Sequence, residues 1–252
     1  MMNPINEFVK RVLTAAILFP FFLGAYLHSP LLFTLLLSAV LIITLVFEWP
    51  KLIDTSNKKR FFLISFFYPT MPIIGLILLD IWYRYTDIWL PMYPFLVAWT
   101  ADTFGYMVGK MWGKHKMCPT ISPGKSWEGL LGSFVGVSIA NFFVFSRIDA
   151  DPFLELSDDI GWILAISLII TIVAFLGGLF ISFFKRRREL KDAGALLPGH
   201  GGILDRFDSV FFVIIFVWGM LLFANRDALT SANLKTIPTT IIHNLFERDW
   251  KK

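Results

Sequence analysis

Seven apolar stretches, near residues 12–28, 30–48, 61–79, 88–108, 129–146, 161–184 and 207–224, take up most of the 252-residue chain and leave only short polar links. Each is close to the roughly 20 residues that a helix needs to cross the hydrocarbon of a bilayer. In lipid an isolated strand or loop has no water to satisfy its N–H and C=O groups, so all seven are predicted as helices. The chain is therefore expected to be all-α, a polytopic integral membrane protein with about seven transmembrane helices. A composition of 56% hydrophobic and only 17% charged residues agrees with that class and leaves no room for a separate soluble domain. One membrane domain is expected over 1–252: N-terminal spans in about 1–90, spans and loops with the candidate chemistry in about 91–224, and a tail in 225–252. The opening residues put basic groups before an apolar run, as a signal peptide does. That run is long and lacks a small-residue cleavage pattern, so it is read as a retained first span.

The net charge of +4 says less than the placement of the charges. Lys10 and Arg11, then Lys51, Lys58, Lys59 and Arg60, then Lys110, Lys114, Lys116 and Lys125, then Lys185 to Lys191 alternate with links poor in basic residues. Positive charge is retained on the cytoplasmic side, which predicts that all four groups lie there. The other side receives His28 to Pro30, the Asp80 to Asp87 loop, and an acidic loop with Asp149, Asp151, Glu155, Asp158 and Asp159, read as solvated. Ile237 to Phe246 reads as an interfacial helix, a partial span or an ordered tail. Cys118 is the only cysteine, which excludes an internal disulfide, and no second Cys or His pair joins it and His115 in a zinc site. No internal repeat is visible, which argues against a transporter of duplicated halves.

Chemistry is expected in the run SFFKRRRELKDAGALLPGHGGILDRFDS, from Ser182 to Ser209. Lys185, Arg186, Arg187, Arg188 and Lys191 can hold an anionic head group at a membrane edge, and Asp192, Asp205 and Asp208 can hold a divalent metal. Asp205 and Asp208 are three apart at the start of an apolar helix, near the positive end of its dipole, a setting that suits a metal or an incoming phosphate. Pro198, Gly199, Gly201 and Gly202 allow the backbone to approach a phosphate, His200 can exchange a proton, and Arg206 can bind a phosphate oxygen pair. Arg187 and Arg188 also fit a simple orientation anchor.

A second constellation runs from Trp99 to Gly129. Asp102 lies inside an apolar span, where an ionisable group is costly and by default marks a pathway or a site. Gly105, Gly109 and Gly113 recur every four residues and suit close helix packing. Ser122, Pro123, Gly124, Lys125 and Ser126 then place hydroxyls and a lysine ahead of Trp127 and Glu128, in a loop that can grip a nucleotide or simply turn the chain.

Together these stretches resemble the phosphatidate cytidylyltransferase family, the CDP-diacylglycerol synthases. Its signature SxxKRxxxxKDxGxxxPGHGGxLDRxDS is matched by Ser182, Lys185, Arg186, Lys191, Asp192, Gly194, Pro198 to Gly202, Leu204 to Arg206, Asp208 and Ser209. Its upstream pattern, an Asp on a glycine-spaced helix followed by SPKKTWEG, is similar to Asp102, Gly105, Tyr106 and Gly109, then Ser122, Pro123, Lys125, Trp127, Glu128 and Gly129. The resemblance is strong in the C-terminal half. It implies CTP and phosphatidic acid as partners, Mg²⁺ as cofactor, a homodimer, a bilayer setting and no nucleic acid. It further implies Asp205 and Asp208 as metal ligands with Asp102 nearby, and Lys191, Asp192 and His200 as catalytic groups. Ser122, Lys125, Lys185, Arg186, Arg206, Gly201 and Gly202 are implied as substrate-binding. A bacterial cytoplasmic membrane, with the site on the cytoplasmic side, is the expected location.

Two departures stand out. Many bacterial members carry GDLxES before the signature, with its Asp among the metal ligands, where this chain has Gly178 and Ile181 in place of the Asp and Glu. Eukaryotic-type members also have Gly-Gly here. Gly124 replaces one lysine of SPKK while Lys125 keeps the other. Alternative readings are a CTP-dependent lipid kinase, a cytidylyltransferase for another lipid phosphate, or a catalytically inactive membrane relative acting as a lipid-binding scaffold or transporter.

Overall fold

The computed structural model describes residues 4–84, 88–146, 159–197 and 201–224. Helix α1, Pro4–His28, is followed after Ser29 by α2, Pro30–Ile43, which opens on the proline whose fixed φ suits a first helical turn. A wide π-type turn over Thr44–Glu48 carries the chain into the short α3, Trp49–Leu52. Asn57 caps α4, Lys58–Ser65, by accepting from the N–H of Arg60. A kinked segment, Phe66–Thr70, then leads into α5, Met71–Tyr83. Its cause is local. Pro69 has no N–H to give and disfavours helical geometry in its predecessor, and Tyr68 is extended at φ −152°, ψ 115°. Next come α6, Tyr93–Trp112, an antiparallel hairpin of β1, Lys116–Cys118, and β2, Ser122–Ser126, and then α7, Trp127–Phe145. The long α8, Ile160–Arg187, and α9, Leu204–Ala224, complete the described chain.

Among the described residues, five lengths of helix are long and apolar enough to cross a membrane: Pro30–Leu52, Lys58–Tyr83, Trp127–Phe145, Ile160–Arg187 and Leu204–Phe223. The other two expected spans are helical but differ in character. Within α1, the stretch Ala16–His28 is apolar. α6 has the length, but Thr100, Asp102, Thr103 and Lys110 interrupt its apolar surface. Of the links on the opposite side, Asp80 is helical and fully buried, with Arg84 Nε donating to its Oδ1 at 2.8 Å and the guanidinium carbon 4.2 Å from the Tyr26 ring centre. Asp159 caps α8 through the N–H of Gly161. Asp87, Asp149, Asp151, Glu155, Asp158 and the segment Ile237 to Phe246 lie outside the described residues.

Glycines set the two closest packings. A Cβ on Gly105 of α6 would fall 2.3 Å from Ser133 Oγ on α7, and one on Gly177 of α8 would fall 2.6 Å from the Asp208 carbonyl oxygen on α9. Without side chains the backbones meet directly. A buried polar chain ties α6, α7 and α8 together: Tyr93 OH donates to Asn141 Oδ1 at 2.9 Å, and Asn141 Nδ2 donates to Ser167 Oγ at 2.8 Å. At the other end of the bundle the basic links gather. Arg188 Nε donates to the Leu52 carbonyl at 3.4 Å and Arg186 Nε to the Ile121 carbonyl at 3.2 Å.

Candidate active site

The first turn of α9 is held by two carboxylates. Asp205 Oδ1 accepts from Lys185 Nζ at 2.7 Å, and its Oδ2 accepts from the N–H of Ala193 at 2.8 Å and of Gly202 at 2.9 Å. Both oxygens are thus engaged within the protein, in an ion pair whose side chains are 12% and 6% exposed. The second carboxylate comes from the wide turn after α2. Glu48 is fully buried; its Oε1 accepts from the N–H of Ile203 at 2.8 Å and its Oε2 from that of Leu204 at 2.7 Å. These amides open a helix and have no partner within it, and an anion there also meets the positive end of the dipole. The approach needs bare backbone: a Cβ on Gly194 or Gly202 would fall 2.7 or 2.8 Å from Glu48 Oε1. Gly201, at φ +81°, turns the loop where a side chain would be strained.

One turn along α9 the arrangement changes. Ser209 Oγ lies 3.3 Å from Asp102 Oδ1 and 3.4 Å from Asp208 Oδ1, so α6 and α9 bring two carboxylates to one hydroxyl. The Ser209 N–H donates to Asp208 Oδ1 at 2.8 Å. Lys125 reaches in from β2, donating to the Phe175 carbonyl at 2.8 Å with its ammonium 4.4 Å from the ring centre of the same residue. Burial holds that ammonium below the usual lysine range, while the charges of Asp208 and Asp102 act the other way. Gly178 makes the room, since a Cβ there would fall 2.7 Å from Lys125 Nζ. The space that a side chain at position 178 would fill is thus taken by a lysine from another element.

The remaining candidates surround this core. Arg186 donates through Nε to Ile121 and through Nη1 to the Leu190 carbonyl at 3.0 Å, tying the end of α8 to the hairpin. Lys191 and Asp192 are exposed on the loop beyond it, Arg206 is exposed on α9, and Ser122 is half-buried at the start of β2. The N–H of Gly202, expected to face a phosphate, instead donates to Asp205. Pro198, Gly199 and His200 lie outside the described residues. Sequence reasoning missed Glu48. Its only signal is a carboxylate near the end of an apolar stretch, in FEWPK, which is also where ordinary solvated residues fall.

Among the described residues no three His, Cys, Asp or Glu side chains gather into a metal cage. Mg²⁺ needs less: one or two carboxylates, with water and substrate phosphate completing its shell. Asp102, Asp208 and the Ser209 hydroxyl fit that requirement with hard oxygen donors. Asp205, already bonded through both oxygens, is suited to holding the frame.

A family model described as the cytidylyltransferase family matches residues 59–224. A Rickettsia conorii protein named phosphatidate cytidylyltransferase is 34% identical over 227 residues, covering 84% of this chain and 90% of that relative. One of the same name from Rickettsia bellii is 32% identical over 228 residues, with 84% and 91% covered. The Staphylococcus aureus (strain COL) protein of that name is 42% identical over 124 residues, 49% of this chain, and the match spans 45% of its own length.

Proposed function

The chain belongs to the cytidylyltransferase family, and from that premise we propose that it is a phosphatidate cytidylyltransferase, joining the phosphate of phosphatidic acid to the CMP part of CTP. An oxygen of the lipid phosphate attacks the α-phosphorus of CTP, the bond from that phosphorus to the β-phosphate oxygen breaks, and pyrophosphate leaves with the negative charge. Both substrates are polyanions, so the protein's work is to align them and to offset charge. The observation that carries this reading is the meeting of Asp102, Asp208 and Ser209 opposite Lys125, drawn from three separate elements.

Each side chain then has a physical task. Asp102 and Asp208 would hold Mg²⁺, which supplies Lewis-acid neutralisation of phosphate oxygens when bound. Lys125 keeps two N–H groups beyond the one given to Phe175, and Lys185 keeps two beyond the one given to Asp205, so both can bind phosphate oxygens and stay fixed in place. Arg186 retains Nη2 for the same purpose, and Lys191 and Arg206 stand exposed at the entrance. Asp205 and Glu48 hold the start of α9 so that Asp208 keeps its distance from Asp102. The basic end of the bundle is assigned to the cytoplasmic face, where CTP arrives from water and the lipid from the leaflet.

Pyrophosphate release by the purified protein in detergent, with phosphatidic acid, CTP and Mg²⁺ and with each omitted in turn, tests the proposal. Release that needs all three is expected. Folded, lipid-binding protein that releases none would overturn it.

A further inference from the structure

Tyr68 carries a hydroxyl that its surroundings do not explain. The kink before α5 inserts its ring among Trp49, Phe180, Phe211 and Phe212, with centres 5.4, 4.9, 5.2 and 6.0 Å away, and the residue is 4% exposed. This cage is aromatic throughout. In a chain with 27 phenylalanines, Phe would fill it as well. The hydroxyl is buried and, among the described residues, has no hydrogen-bond partner, a state that costs free energy in any fold.

Its neighbours identify what it is near. Phe211 and Phe212 stand three and four residues beyond Asp208 on α9, so they occupy the same face one turn on. Asp208 is thus the carboxylate one turn before the α9 rings that touch Tyr68. Asp208 is bonded through Oδ1 to Ser209, and among the described residues no donor reaches its Oδ2. A donor without an acceptor is thus packed against the turn of α9 next to an acceptor without a donor, and a carboxylate has lone pairs for both a cation and a hydroxyl.

We propose that Tyr68 is a positioning residue of the site, its hydroxyl donating to the Asp208 carboxylate when substrate and divalent cation are bound and fixing the carboxylate's orientation toward them. This rests on the cytidylyltransferase reading and adds to it a residue outside the signature. That bond would offset the cost of burying the hydroxyl without a partner.

The test is Tyr68→Phe in the full chain, beside the wild type, with two readouts: melting temperature in detergent as a function of Mg²⁺ concentration, and pyrophosphate release. Wild-type protein without turnover would count against the proposed reaction and not against Tyr68, whose melting readout stands alone. The expected result is that Tyr68→Phe melts at the same or a higher temperature without Mg²⁺ and is stabilised less by added Mg²⁺. Its kcat is expected to fall roughly tenfold, the loss of one hydrogen bond to a charged group. Wild-type kcat with a wild-type Mg²⁺ response would overturn the proposal, as would a variant that melts lower without Mg²⁺, which would make the hydroxyl a part of the fold.

Discussion

A carboxylate whose oxygens are bonded in the resting fold and one whose oxygens are only half engaged fail differently when converted to an amide. Asp208→Asn keeps size and the Ser209 contact but loses the charge, so turnover should fall at least ~100-fold with the melting temperature unchanged. Asp205→Asn breaks a buried pair with Lys185 and leaves that ammonium uncompensated, a loss of about 3 kcal/mol, so both stability and turnover should fall. Melting in detergent and pyrophosphate release on the same samples separate the two. Glu48→Gln presents an NH₂ to one of two backbone N–H groups and should cost about 1–3 kcal/mol by leaving a buried donor unpaired. Asp102 stood out in the sequence because an ionisable group inside an apolar stretch is costly enough to demand a reason, and Asp208 because it stands three residues after Asp205 at the start of an apolar helix. Glu48 and Tyr68 did not. The partners of Glu48 are 155 and 156 positions away, and the oddity of Tyr68 is a missing partner, which only three dimensions reveal.

Helix packing carries the site as much as its side chains do. Asp102 keeps its place because α6 lies against α7 through Gly105 and Gly129, where a Cβ on Gly129 would fall 2.8 Å from the Gly105 carbonyl oxygen. Gly105→Val would press on Ser133 Oγ, which is held by a 2.7 Å bond to the Ala101 carbonyl, and should lower stability by about 1–3 kcal/mol and turnover with it. Gly124→Ala, with nothing within 4 Å of the added carbon, is the control and should melt as the wild type does. Helix existence was readable from apolar length, since lipid leaves the backbone few alternatives. The wide turn at Thr44–Glu48 was not, because one extra residue in a turn leaves no mark on hydropathy, although it re-aims the side chains that follow.

The links at Leu52, Ile121 and Arg186 to Arg188, far apart in the chain, meet at one end of the bundle. Cys118, the sole cysteine and half-buried on β1 among those links, reports the sidedness directly. A membrane-impermeant maleimide should label it in inverted vesicles and leave it unlabelled in intact spheroplasts; the reverse pattern would place the site outside. A last consequence concerns how such a chain enters the bilayer at all. α6 spans twenty residues, but its polar groups leave it outside the set of helices apolar enough to cross unaided, while α7, joined to it by a short hairpin, is within that set. The partition of α6 into lipid then depends on α7 covering Gly105 and accepting Tyr93 through Asn141. The two should leave the translocation machinery as a pair. Nascent chains truncated before Trp127 should keep a glycosylation tag placed at Met92 on the cytoplasmic side, and extension through Phe145 should move it across.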